Sequence, residues 1–173
     1  MGNENARPLE IMLPPIALEP ALDCVSPEVR EGLAYWRAKT AGREMPLQSD
    51  IRPEEIPHLL PYLSLFELRQ AHGRLELFPR LAGSKFEEVF GSLHNKPLET
   101  VVPAEIVDRW QGAARTLIEA REPLRATGDV LYEEKTFIRF ELVIAPLSRT
   151  GETLDVMLLI CSFGMAGEVR PFA

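Results

Sequence analysis

The sequence predicts an α+β fold: an antiparallel sheet of about five strands, helices on its faces, and an added N-terminal helix. Three observations carry that expectation. Apolar residues recur at helical spacing in SPEVREGLAYWRAK and again in AEIVDRWQGAARTLIEARE; two β-rich runs meet at a glycine turn between those stretches; and three more β-rich runs follow Pro123. With hairpins at both ends and helices in the middle, the two strand groups can join in one sheet that the helices cover.

Residues 1–25 hold several prolines and scattered Leu, Ile and Val in neither a helical nor a strand period, which reads as an extended arm. At Ser26 the signals sharpen. Ser26 suits an N-cap, Pro27 the first helical position, and Glu28 the positive helix start, while Val29, Leu33 and Trp36 share one face. That face is a candidate packing or dimer element: it meets either the chain's own sheet or the same helix of a second subunit, and the sequence leaves both open. Gly42 offers the positive φ that lets the chain turn away. In DIRPEEIPHLLPYL, Pro53 starts a short helical strap with Ile56, Leu59 and Leu60 inward, and Pro61 keeps it short.

LSLFELRQAHGRLELFPRLAG reads as a hairpin turning at Ala71–Gly73. Gly83 then ends the second strand and Gly91 a helical turn, each expected to bend the chain where a Cβ would be penalised. In the long helix, Ile106, Trp110, Ala113 and Leu117 line one face, and Pro123 closes it. The last three strands form a meander turning at YEEK and SRTGET. Along its middle strand Thr136, Ile138, Phe140, Leu142 and Ile144 alternate with Phe137, Arg139, Glu141, Val143 and Ala145. The first set is the core face, and Arg139 and Glu141 are expected at the surface. The organisation is an arm (1–25), one domain with its N-terminal helix (26–164) and a short tail (165–173).

Composition narrows the function classes. Hydrophobic residues at 46% and charged ones at 26% suit an ordinary folded domain, and a net charge of −7 with basic residues interleaved among acids repels a phosphate backbone. Nucleic acid is therefore not an expected partner. No apolar run is long enough to cross a bilayer, and MGNENARPLE lacks the features of a signal peptide, so the expected place is the cytoplasm, away from membranes. Cys24 and Cys161 have no metal or disulfide spacing, and Cys161 sits in an apolar run. His58, His72 and His94 fall in a strap, a turn and a loop with no orienting acid at fixed spacing, and no phosphate-loop or zinc motif occurs.

A resemblance adds to this reading. The element order, with Tyr35-Trp36, Met45-Pro46, Asp50-Ile51 and Pro53, Leu60-Pro61, and Arg80 followed by Gly83, resembles a bacterial branch of stand-alone PAS-like proteins over residues 26–164. It implies a ligand site between the inner sheet face and the middle helices. Candidate residues there are Phe78, Arg80, Trp110, Ile138, Phe140 and Leu142, all of which core packing or ion pairing would also explain. Arg80 either caps carbonyls, pairs with an acid or recognises an anion. Some PAS domains hold haem through a histidine on the long helix, and 104–122 has none; flavin photochemistry needs a cysteine on a middle helix, and 84–122 has none. Both are disfavoured, and the cofactor is left unknown. The resemblance implies a non-catalytic sensory or adaptor module of bacterial signal transduction, a homodimer that binds a small molecule, a signalling protein, or both. The alternatives are a small cavity enzyme of hydrolase or isomerase type and a purely structural dimerisation domain.

Overall fold

A computed structural model describes residues 18–20, 23–132 and 136–165. The expected arm and tail lie mostly outside these residues, as does most of the YEEK turn. Helix α1 (Pro27–Thr40) comes first, then a strap of short 3-10 turns between Gln48 and Tyr62, and the hairpin β1 (Leu63–Ala71) and β2 (Arg74–Leu81). Next are α2 (Ser84–Phe90), a 3-10 turn at Leu98–Thr100, α3 (Ala104–Ala120), and the meander β3 (Leu124–Tyr132), β4 (Thr136–Leu147) and β5 (Val156–Met165). Five antiparallel strands form one sheet in the order β2-β1-β5-β4-β3, so the hairpin joins the meander through β1 and β5.

Each face of the sheet has its own cover. On the inner face Phe66 of β1 meets Phe86 of α2 and Trp110 of α3. The outer face carries α1, packed so closely on Ile160 that a Cβ at Gly32 would come within 2.8 Å of its side chain. Because both faces are covered, the first six residues of β1 are buried without alternation. Val29, Leu33 and Trp36 turn to this sheet with 0%, 3% and 5% exposure, and the Trp36 indole donates to the Pro146 carbonyl at 2.9 Å. In this arrangement the face considered for a dimer is spent within the chain.

Local chemistry explains the turns. The β1–β2 loop is the pair His72-Gly73 with φ of 53° and 71°, the two-residue geometry whose twist matches antiparallel strands. Gly91 has the positive φ, 93°, expected of it. Gly83 serves for another reason than the bend: its φ is an ordinary −65°, but a Cβ there would lie 2.5 Å from the Pro61 carbonyl oxygen and 2.7 Å from that of Leu63. Close backbone approach requires this glycine.

The β2 edge is occupied in part by the chain itself. Of Leu75, Leu77 and Pro79, whose backbone groups face away from β1, Leu75 accepts from the Gln111 side chain at 2.8 Å and Pro79 from the Asn95 N–H at 2.9 Å. Pro79 has no N–H to offer. At the opposite edge Glu19 makes a two-bond bridge with Arg125 of β3.

Candidate functional site

Strand alternation decides which candidates share a face. Phe66 lies opposite Pro79 and Glu67 opposite Phe78, so the residues of β2 that face inward are Leu75, Leu77 and Pro79. Phe78 and Arg80 face outward, and the expectation that they line an inner pocket is corrected. The remaining candidates belong to the inner side. Trp110 stacks near Phe66 with ring centres 6.5 Å apart, Leu142 pairs with Cys161, and Phe140 pairs with Phe163. The backbone of Ile138 continues the same register, while its side chain lies outside the described residues.

Aromatic rings fill much of the space under the inner face. Phe86 sits 4.5 Å from Phe90 and 5.8 Å from Trp110, and Phe90 reaches Phe163 at 6.4 Å. On α3, one position before Trp110, the Arg109 Nη1 is buried without a hydrogen-bond partner among the described residues. An unmade bond of this kind costs about 1–3 kcal/mol or more, and an acceptor brought by a ligand would remove that cost. A cleft of about 80 Å³ opens at the β2 edge between Arg74, Glu76, Glu99, Val107 and Gln111, away from the expected wall residues.

The outer face holds two ionic constructions. Sequence reasoning placed Glu141 at the surface; it is fully buried. Helix α1 and the segment leading into it roof this part of the sheet, which strand alternation alone does not reveal. The Glu141 carboxylate accepts from the backbone N–H groups of Val25 at 2.9 Å and Ser26 at 2.8 Å, and from Arg125 Nη2 at 2.6 Å. Ser26 occupies the N-cap position, but its hydroxyl donates to Glu28 at 2.7 Å, so Glu141 supplies the negative charge that favours the helix start. Arg139, by contrast, is exposed as expected.

The second construction surrounds Glu67, which is 6% exposed. Arg80 donates Nε to it at 2.7 Å and Arg69 donates Nη2 at 2.7 Å, so of the alternatives for Arg80 the structure realises pairing with an acid. Burial pushes the Glu67 carboxyl up, and the Arg80 and Arg69 bonds outweigh it, leaving the group below the usual carboxylate range. Arg149 of the β4–β5 loop comes within 3.9 Å of the same carboxylate. Neither sequence period nor motif marks this cluster, because its members come from β1, β2 and that loop.

The histidines do not converge. All three are exposed, and His58 meets Glu31 at 2.5 Å. Both cysteines are free, and burial followed by the Glu141 charge holds the Cys161 thiol well above its ordinary range. Among the described residues no group of His, Cys, Asp and Glu could hold a metal ion, and no helix is long and apolar enough to cross a membrane.

The sequence model described as PAS domain matches residues 25–160 of the chain. Comparison with curated proteins gives no match.

Proposed function

This chain belongs to the PAS domain family, and from that premise we propose that it is a non-catalytic sensory or adaptor module of bacterial signal transduction, working in the cytoplasm. In this reading a small molecule binds under the inner face, beside Trp110, Phe140, Leu142 and Ile138, and a protein partner reads the result. The observation that carries it is the two-sidedness of β4. Phe140 and Leu142 face inward, while Glu141 between them reaches through the outer side to the start of α1. A ligand that favours one position of β4 over another acts on the Glu141 contacts, and so shifts the population of α1 positions.

The orphaned Arg109 nitrogen supports a ligand with an acceptor atom, such as a carboxylate or carbonyl. The same reading includes a homodimer, formed through the exposed side of α1, since Val29, Leu33 and Trp36 are engaged within the chain.

Native mass spectrometry of the purified chain, followed by denaturing analysis, tests this. A recurrent small molecule that is retained by the wild type and lost from Arg109→Leu, together with a dimer mass, is the expected outcome. A ligand-free monomer that stays so after incubation with bacterial small-molecule extract would sink the sensor reading.

A further inference from the structure

We propose that the outer-face patch formed by Arg69, Arg80 and Arg149 around Glu67 and Phe78 docks an acidic peptide segment of a partner protein. This deepens the adaptor half of the reading above and rests on it.

Local charge is the first argument. The chain as a whole carries −7, yet here three guanidiniums meet two carboxylates. Arg149 reaches Glu67 at 3.9 Å and pairs with Asp155 at 3.3 Å. Glu76 lies opposite Arg69 across the hairpin and Arg74 two positions along β2, one charge of each sign, so the local excess of positive charge stands. The net negative charge of the chain opposes an acidic segment in general, while the local excess of guanidiniums attracts it here, which favours this patch as the docking place.

Pre-organisation is the second. Glu67 is buried and engages Arg80 through Nε alone, so among the described residues both terminal nitrogens of Arg80 lack a protein partner. Those nitrogens form the planar fork that takes a carboxylate side by side. Phe78 holds the forks in place, with the Arg69 guanidinium 4.1 Å and that of Arg80 5.0 Å from its ring centre. Side chains already ordered lose less entropy when they bind. They are also reachable: the side chains of Arg69, Arg80 and Arg149 are 39%, 46% and 50% exposed.

The experiment is fluorescence anisotropy of a fluorescein-labelled hexaglutamate peptide titrated with the full-length protein in about 20 mM salt, where screening is weak. Hexaglutamate should bind and hexaglutamine should not, and binding should weaken as salt rises. The double variant Arg80→Ala, Arg149→Ala should weaken it about tenfold, whereas Arg30→Ala and Arg115→Ala, exposed arginines of α1 and α3, should change it less than about twofold. If the double variant fails to fold, Arg80→Lys decides: it keeps the charge beside Glu67, loses the fork, and should cost about threefold. Absent binding, equal binding of hexaglutamine, insensitivity to these variants, or equal competition by oligothymidylate would each overturn the proposal, the last by revealing a general polyanion surface. A protein that retains a small molecule but ignores hexaglutamate loses the docking patch alone. One that binds hexaglutamate through these arginines but carries no ligand loses the sensor half alone.

Discussion

Arg125 and Glu141 form an ion pair across neighbouring strands β3 and β4, with Arg125 donating at 3.0 Å through Nε and 2.6 Å through Nη2 to a carboxylate that has no exposure to water. Removing one member of a buried pair leaves the other uncompensated, at a typical cost of about 3–5 kcal/mol. Glu141→Gln should therefore destabilise the fold by about 3 kcal/mol in urea denaturation. The double variant Glu141→Leu, Arg125→Met should recover part of that, but not all, because the Val25 and Ser26 N–H groups lose their acceptor. A single-variant change below about 1 kcal/mol would show that the pair contributes little.

The Glu67 cluster sets a pH dependence. Its folded pKa lies below the ordinary 4.5, so the unfolded chain binds its proton first as pH falls. The stability it contributes is full above about pH 4.5 and is lost progressively below that value. Wild type and Glu67→Gln should thus differ most at neutral pH, by about 1–2 kcal/mol given its exposed partners, and converge in acid. Thermal melts at pH 7, 4.5 and 3 check this; a difference that widens in acid would contradict the assigned direction.

Two glycines tolerate a methyl group to different degrees. Gly83→Ala meets backbone carbonyl oxygens at 2.5 and 2.7 Å, which cannot move without shifting the strap and β1. Gly32→Ala meets only the Ile160 side chain, at 2.8 Å. The first should cost about 3 kcal/mol or more and the second about 1–3 kcal/mol. Equal losses in equilibrium unfolding would mean that the strap yields as easily as a rotamer.

Trp36→Phe removes the indole donor from the buried Pro146 carbonyl along with part of the ring. A loss of about 2 kcal/mol is expected, measured by chemical denaturation. If α1 instead detaches readily, the variant will match wild type.

Much of this architecture was legible in sequence. Periodicity marked α1 and α3, Gly73 marked the hairpin, and the apolar phase of β4 marked its inner face, because each signal is local and repeats. The failures have physical causes too. In LELFPRL the inward phase is Leu75, Leu77, Pro79, and Phe78 shares its phase with Glu76 and Arg80; reading the proline as an inward residue would have placed Phe78 correctly. Glu141 gave no such clue. Its burial depends on α1 lying across β4, a contact between segments more than 100 residues apart, and alternation reports only that Glu141 faces away from Phe140. Gly83 was identified as structural on conformational grounds, whereas the constraint is steric and comes from Pro61 and Leu63.

The partly self-occupied margin of β2 limits the kinds of recognition open to this protein. With Leu75 and Pro79 carbonyls already satisfied by Gln111 and Asn95, and no N–H at Pro79, an incoming chain finds no continuous ladder there to extend. Backbone pairing reads shape and is nearly indifferent to sequence, so closing it off at this margin removes a route to indiscriminate association. A partner approaching that side must be distinguished by its side chains.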